Sequence, residues 1–230
     1  RRVDPLEPAA AGIRAAAAHA APCPADVTWQ EDVDRLAATV ASEFGGLDLV
    51  VHCAGRSTRG SLGDTTPEDM QQLFDVNCLS AVRLVRAFAP TLVDRRGSLV
   101  LVGSLASKTA LPYLGGYPAS KHALAAVAQQ LRLELGPRGL HTLLVCPGPI
   151  ARDDASPRYA DKTAGLPQSA TKPGGGAKLK AIDPAWLAVC ILAACERRQA
   201  ELVVPAKARL LFALAALSPK LGDWLLRKNS

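Results

Sequence analysis

The chain has 230 residues, 49% of them hydrophobic and 4% aromatic, and carries a formal net charge of +6. This length accommodates one globular α/β domain with a substantial core, and a composition rich in Ala, Leu and Val favours helices packed on a sheet over a sandwich of short strands. The basic residues are spread along the whole chain, so we expect no nucleic-acid partner; a basic surface or an anionic cofactor accounts for the charge.

The cysteine pattern argues against a metal site. Six cysteines lie in or beside apolar runs, and none forms a CxxC pair or a His/Cys cluster at zinc spacing. We therefore expect buried, reduced thiols and no metal. The first residues, Arg1-Arg2-Val3-Asp4, contain no apolar stretch of the kind that a signal peptide needs, so the cytoplasm is the expected location.

Helical and strand patterns alternate in the first half of the chain. A helix is predicted over residues 8–20, and apolar residues three and four positions apart predict a second, amphipathic helix over residues 30–44. The apolar run at residues 47–51 is typical of a buried parallel strand. A helix over residues 66–93 should follow, with a Thr cap and a Pro at its first helical position.

The same alternation continues in the second half. We predict strands at residues 98–102, 140–145 and 201–204, and helices at residues 118–135 and 183–197. Strands that alternate with helices of this length indicate βαβ units and a parallel sheet with helices on both faces. In such sheets the ligand lies beyond the carboxyl ends of the strands.

Two segments depart from the alternation. Residues 152–180 contain three consecutive glycines and little periodicity, which predicts a mobile loop beside the substrate. Residues 206–230 form an apolar C-terminal helical tail that is shorter than the roughly 20 apolar residues of a membrane span. We expect this tail to pack over the pocket of a domain formed by residues 1–205, or at a subunit interface; peripheral membrane attachment is the alternative.

The strongest functional signal is Tyr117-Pro118-Ala119-Ser120-Lys121. Residues four apart share one helical face, so the Lys121 ammonium can lie near the Tyr117 phenol. A nearby cation lowers the pKa of a tyrosine from its usual value of about 10, which allows proton transfer near neutral pH. Ser104 follows a strand and can hydrogen-bond a substrate oxygen, and Asn77 can hold a water next to Lys121.

Asn77, Ser104, Tyr117 and Lys121, in this order and at these spacings, resemble the catalytic tetrad of the short-chain dehydrogenase/reductase (SDR) family. Taken singly, each has an ordinary structural interpretation. The resemblance covers about residues 1–204 and implies a Rossmann-like, doubly wound parallel sheet and an oxidoreductase that transfers a hydride between a nicotinamide cofactor and a carbonyl or alcohol. It also implies that Tyr117 exchanges the proton, Ser104 positions the substrate oxygen, Lys121 binds the nicotinamide ribose and Asn77 supports a proton-relay water.

Two pairs of residues near the start of the chain bear on the nucleotide. Asp26 and Val27 resemble the family's adenine-contacting residues; capping of the next helix is the alternative role of Asp26. Arg1 and Arg2 resemble the end of a strand where a basic side chain pairs with the adenosine 2′-phosphate. We therefore expect NADP rather than NAD, with a frayed, solvated chain end as the alternative explanation of the arginines.

Two short turns resemble the family's contacts to the rest of the cofactor. His52-Cys53-Ala54-Gly55 stands where the family usually has Asn-Asn-Ala-Gly, so we expect His52 to be a structural replacement rather than a base. Pro147, Gly148 and Ile150 resemble the turn beside the nicotinamide, where Arg152 replaces a frequent Thr. The cofactor-binding residues predicted in this half of the site are His52, Ala54, Gly55, Tyr117, Lys121, Pro147, Gly148 and Ile150.

One part of the family pattern is not found in the chain. The family's domain begins with a strand, a Gly-rich TGxxxGxG turn, a helix and a second strand, and the turn aims backbone N–H groups at the pyrophosphate. We expect that a longer polypeptide or another chain supplies these parts, or that the fold serves as a catalytically inactive binding or scaffold protein. Open sheet edges and the apolar tail suggest a homo-oligomer, and the apolar pocket segments suggest a moderately hydrophobic carbonyl or alcohol substrate.

Overall fold

The computed structural model describes residues 6–16, 18–152, 163, 165–167, 170 and 179–229. Within these residues one sheet contains the strands β1 (Leu49–His52), β2 (Ser98–Val102), β3 (His141–Pro147) and β4 (Glu201–Val204), in that order. Each strand runs parallel to its neighbours. Since parallel neighbours need crossover connections, each link between them passes over a face of the sheet.

The helices of the described residues lie in these connections and at the two ends. Before β1 come α1 (Leu6–Ala15) and α2 (Gln30–Phe44). Between β1 and β2, α3 (Pro67–Phe74), a π-helical turn (Asp75–Leu79) and α4 (Ser80–Asp94) form one continuous helix. The remaining helices are α5 (Tyr117–Glu134), α6 (Pro184–Glu196), α7 (Ala208–Leu217) and α8 (Pro219–Asn229).

Helices cover both faces of the sheet. Leu99 and Leu144 pack against α2, α4 and α5 on one face, in a cluster whose members are almost fully buried. Val100 and Leu143 point to the other face and pack against α6. Every residue of β3 is buried, as expected for a central parallel strand. The predicted doubly wound α/β fold is therefore confirmed.

Several predicted elements agree with the structure residue for residue. The helix Gln30–Phe44 and the strands Ser98–Val102 and Glu201–Val204 have the predicted bounds. Thr66 caps α3, because its Oγ1 accepts a hydrogen bond from the Asp69 N–H at 3.1 Å. Local signals of this kind are strong because cap, proline and apolar spacing all indicate the same boundary.

Other elements differ from the prediction. The first helix ends at Ala15 rather than at residue 20. Beyond its end, the Ala20 carbonyl accepts a hydrogen bond from the Arg14 side chain. The strand β1 covers Leu49–His52 rather than residues 47–51. The π-helical turn was not predicted, because a single wide turn leaves the apolar spacing of a long helix almost unchanged.

Some predictions are not tested by the structure, and one is wrong in part. Arg1, Arg2 and most of the predicted loop over residues 152–180 lie outside the described residues. The division of the chain at residue 205 stays a prediction. All six cysteines are free, but only Cys78 and Cys146 are buried as expected; Cys23, Cys190 and Cys195 are half-buried, and Cys53, directly after β1, is exposed.

The helix Pro67–Asp94 is long and apolar enough to cross a membrane by length and composition alone. Of its most apolar window, 44% is buried inside the fold. Leu84, Phe88 and Leu92 on its α4 portion belong to the core cluster beneath the sheet. The apolar side of this helix is therefore used to cover the sheet.

Candidate active site

A cavity of about 670 Å³ opens beyond the carboxyl ends of the described strands. Its lining includes residues at or just after the end of each strand, namely Cys53, Val102, Pro147 and Pro205. Parallel strands bring these ends to one edge of the sheet, which is where ligands bind in open α/β folds. The cavity is therefore the candidate active site.

Tyr117 and Lys121 line this cavity from the first turn of α5. The Lys121 side chain is almost completely buried, and its Nζ donates a hydrogen bond to the Val102 carbonyl at 2.9 Å, which ties α5 to the end of β2. Burial lowers the pKa of the Lys121 ammonium to about 8, because a desolvated charge is costly. Lys121 is therefore still predominantly cationic at pH 7.

Ser104 lines the same cavity just after β2. Its Oγ accepts a hydrogen bond from the Ala106 N–H at 3.1 Å, and its own N–H donates to Ser107 Oγ at 3.1 Å, so that the two serines form a capping box on a short 3₁₀ turn. A hydroxyl that already accepts a hydrogen bond from a backbone N–H still has its own hydrogen to donate. Ser104 can therefore donate a hydrogen bond to a ligand in the cavity.

Asn77 lies behind this cavity, inside the π-helical turn, and is completely buried. Its Oδ1 accepts from the Arg56 N–H at 2.8 Å, and its Nδ2 donates to the Arg56 carbonyl and to Ser120 Oγ, each at 2.9 Å. Ser120 Oγ in turn donates to the Tyr117 carbonyl at 2.7 Å. One amide therefore connects the loop after β1 with the first turn of α5.

His52 is buried at the end of β1, and the cavity is not lined by it. Ser80 Oγ donates to the Val76 carbonyl, so His52 Nε2, which lies 2.7 Å from Ser80 Oγ, must donate to that hydroxyl. Burial, and secondarily the charge of Lys121, lowers the pKa of His52 to about 4. The ring is neutral and its side chain does not reach the cavity, and the prediction that His52 contacts the cofactor stays a prediction.

The predicted site residues fall into three groups. Asn77 and His52 lie behind the cavity, as described, and Ala54, Asp26 and Val27 are not among its lining residues. Asp26 Oδ1 instead accepts hydrogen bonds from the backbone and side chain of Thr28, and the N-cap position of α2 is occupied by Trp29, which makes no side-chain cap hydrogen bond. The predicted residues that line the cavity are Gly55, Ser104, Tyr117, Lys121, Pro147, Gly148 and Ile150.

Some site residues were not found by sequence reasoning. The Arg56 backbone and the Ser120 side chain hold Asn77 in place. In the sequence, the one sign of this role is that Ser120 lies next to the Tyr-Lys pair. The charged residues of the lining are all basic, and among them Arg56, Arg59 and Lys207 belong to no sequence motif. The basic residues of the lining are Arg56, Arg59, Lys121, Arg152 and Lys207.

The lining fits the nicotinamide and ribose end of a dinucleotide. Lys121 can donate two further hydrogen bonds beyond the one to Val102, and hydroxyls of a sugar are suitable acceptors. A Cβ on Gly55 would lie 2.9 Å from Asn77 Oδ1 and 3.4 Å from Lys121 Nζ, so only glycine leaves this place open beside the lysine. The basic lining also suits an anionic ligand.

Comparisons with known proteins agree with this arrangement. A family model described as Enoyl-(Acyl carrier protein) reductase matches residues 3–188. The uncharacterized oxidoreductase YxnA of Bacillus subtilis is 32% identical over 210 residues, which are 89% of this chain and 56% of that protein. Glycine betaine reductase of Emericella nidulans is 32% identical over 66% of this chain, which spans only 12% of that protein.

Solved structures share the fold. A short-chain dehydrogenase from Streptomyces avermitilis has a TM-score of 0.74 at 27% identity, over 97% of this chain and 84% of that one. L-sorbose reductase from Gluconobacter frateurii, solved with NADPH and L-sorbose, has a TM-score of 0.76 at 24% identity, over 89% and 82% of the two chains. A short-chain dehydrogenase/reductase from Burkholderia phymatum, solved with NAD, has a TM-score of 0.78 at 23% identity, over 95% and 83%.

We predict that His52 makes the fold sensitive to acid. The folded protein keeps His52 neutral down to pH about 4, whereas the unfolded chain binds a proton below about 6.5, so stability is lost as the pH falls from 6.5 to 4. The loss due to His52 is roughly 3 kcal/mol. Urea unfolding across this range should show a shallower pH dependence for His52→Asn, whereas the same change at exposed His19 should preserve the slope. Equal slopes for wild type and His52→Asn would contradict the assignment.

We also predict that Gly55→Ala disturbs the site. The new Cβ would push on the Asn77 amide, whose bonds to Arg56 hold the loop, and the expected loss of stability is about 1–3 kcal/mol. Gly63→Ala is the matched control, because its Cβ would meet only Ser61 Oγ at an ordinary 3.6 Å. Chemical denaturation measures both variants. Equal free energies of unfolding for the two variants would mean that the space beside Asn77 can widen with no loss of stability.

Proposed function

Because this chain belongs to the short-chain dehydrogenase/reductase family, we propose that it is an oxidoreductase that transfers a hydride between NADP(H) and a carbonyl or alcohol substrate. The observation that supports this proposal best is the meeting of Ser104, Tyr117 and Lys121 in one cavity at the carboxyl ends of the strands. The nicotinamide cofactor, when bound, supplies or accepts the hydride. The protein's own residues orient the substrate oxygen and move its proton.

In the proposed reduction, the Tyr117 phenol donates its proton to the substrate oxygen. Ser104 donates a second hydrogen bond to the same oxygen, since a hydroxyl that accepts from the Ala106 N–H keeps its own hydrogen to donate. The Lys121 ammonium, one helical turn from Tyr117, stabilises the resulting phenolate electrostatically. In the oxidation direction the same groups act in reverse.

Asn77 and Lys121 are proposed to assist the return of a proton to Tyr117 after the substrate oxygen has taken the first one. Both hydrogens of the Asn77 amide are used in bonds to Arg56 and Ser120, but Oδ1 can accept a second hydrogen bond. A water held beside Lys121 by this oxygen would link the phenolate to solvent. The role of Asn77 is therefore proposed to be positioning of the loop first and support of such a water second.

NADP is the proposed cofactor, with NAD the less favoured choice. One solved relative holds NADPH and another holds NAD, and both resemble this chain in fold alone. The preference for NADP depends on Arg1 and Arg2, whose guanidinium groups suit a 2′-phosphate. The uniformly basic lining of the cavity is compatible with either anionic dinucleotide.

The proposed substrate is a moderately hydrophobic carbonyl compound or alcohol. Apolar side chains from several elements make up much of the cavity lining, which suits the apolar body of a substrate. These side chains are Leu105, Leu111, Leu114, Leu179, Leu211, Phe212, Leu214, Leu225 and Leu226. A substrate with an apolar body and one reactive oxygen fits this distribution.

A homo-oligomer in the cytoplasm is also part of the proposal. The outward face of α6 exposes Trp186, Val189 and Leu192 by 52%, 66% and 52%. A helix that is apolar on its outer side usually has a partner, and a second copy of the chain is the simplest one. The free thiols suit a reducing compartment.

The alternative is a protein that keeps the fold and binds ligands without catalysis. Binding of NADPH and turnover distinguish the two functions.

We predict that Tyr117→Phe lowers kcat by at least about 100-fold, because it removes the proton that the substrate oxygen receives. Oxidation of NADPH would be followed with a panel of aliphatic and aromatic ketones, and NADH would be the cofactor control. Tyr113→Phe is the matched variant, since Tyr113 is partly exposed and the cavity is not lined by it.

The binding constant for NADPH should change little in Tyr117→Phe, since the ring remains. No turnover by the wild-type chain despite NADPH binding would favour the non-catalytic alternative. Equal loss in the Tyr113 and Tyr117 variants would contradict the role of Tyr117.

A further inference from the structure

The outer surface of α7 is unusual for a helix at the end of a domain. Its exposed residues are Arg209, Leu210, Ala213, Ala216 and Leu217, so that after Arg209 no polar side chain faces solvent. Leu210 is 68% and Leu217 84% exposed. A stripe of this kind normally faces another apolar phase.

The second helix of the tail extends this surface. Leu221 and Trp224, which lie one turn apart on α8, are 39% and 56% exposed. The two helices are in close contact, because a Cβ on Gly222 would lie only 2.7 Å from the Ala215 Cβ. α7 and α8 therefore form a tightly packed hairpin, called the tail hairpin below.

The inner side of the tail hairpin forms part of the active-site wall. Leu211, Leu214, Leu225 and Leu226 line the cavity. Leu210 both lines the cavity and is largely exposed, so the apolar part of the lining reaches the outer surface at this residue.

The charge of the tail hairpin is strongly positive. The described side chains include one acid, Asp223, and four basic residues, which are Arg209, Lys220 and Arg227 in the hairpin and Lys207 directly before it. A twofold contact between copies would place the same patch on both sides and bring these cations together. An anionic surface instead complements them, and tryptophan is well suited to the boundary between headgroups and acyl chains.

From these observations we propose that the tail hairpin docks on an anionic phospholipid surface. Leu210, Leu217, Leu221 and Trp224 insert at the level of the headgroups, and the basic residues contact lipid phosphates. The helices lie in the interface plane and do not span it, since each is much shorter than a bilayer crossing. The cavity then opens toward the bilayer, from which an apolar substrate can enter.

Vesicle binding of the full chain tests the proposal. A Trp29→Phe, Trp186→Phe background leaves Trp224 as the single tryptophan reporter. Vesicles of phosphatidylcholine with phosphatidylglycerol should bind the protein and shift the Trp224 emission to the blue, and binding should weaken with added salt. Vesicles of phosphatidylcholine alone should bind it at least about tenfold more weakly, since each basic residue near an anionic surface contributes about 1 kcal/mol.

Leu217→Glu should lower the affinity for the anionic vesicles by at least about tenfold, because a leucine that inserts among the headgroups is replaced by a carboxylate with the same sign of charge as the lipids. Leu133→Glu is the matched control: Leu133 is 72% exposed on α5, and the same substitution there should leave vesicle binding unchanged. Circular dichroism confirms that both variants fold. Turnover of a water-soluble ketone without vesicles reports separately on the proposed function.

Three results would overturn the proposal. They are no vesicle binding by a folded wild-type chain, equal binding to neutral and anionic vesicles, and equal effects of the substitutions at residues 217 and 133. If sedimentation velocity gives the wild-type chain twice the mass of the Leu217→Glu variant, and the wild type does not bind vesicles, the tail hairpin instead contacts a second copy of the chain.

Discussion

The candidate site depends on the hydrogen bonds of one buried amide. Asn77 joins the loop after β1, through both backbone groups of Arg56, to the start of α5, through Ser120. Each such bond contributes about 1 kcal/mol to stability, but a buried amide left without partners costs more than it gains when paired. The amide therefore selects one arrangement of loop and helix, and that arrangement sets the positions of Tyr117 and Lys121. Asn77 lies in the π-helical turn, and single wide turns of this kind often occur at functional sites.

Burial acts on two basic groups of the site with opposite outcomes. His52 has one ring nitrogen bonded to Ser80 and the other without a partner among the described residues, so the neutral ring is favoured. Lys121 is also buried, but burial lowers the pKa of its ammonium only from 10.5 to about 8, so it stays cationic at pH 7. A buried group that stays neutral can shape the core, whereas one that stays charged beside a cavity can act on a ligand.

The sequence predicted the fold through local rules and the site through spacing. Thr66 with Pro67, and the apolar repeat of α2, indicated element boundaries because cap chemistry and periodicity are properties of adjacent residues. Tyr117 and Lys121 were identified because residues four apart lie on one face of a helix. Ser104 was identified because it directly follows a strand, at the edge of the sheet where a ligand binds. Arg56 and Ser120 were missed, because their roles depend on which residues the crossovers bring to Asn77. The role of His52 was missed in part, since its partner Ser80 lies 28 positions away.

Cys53 gives the cavity a chemical reporter. It is the exposed thiol in the lining, next to the buried ammonium of Lys121, and desolvation raises its pKa above the ordinary thiol value. Only the thiolate reacts readily with alkylating reagents, so modification at neutral pH should be slow enough to follow by mass spectrometry. A molecule bound beside Lys121 would shield this sulfur. The alkylation rate of a single native cysteine therefore provides a footprint of site occupancy that requires neither turnover nor an added label.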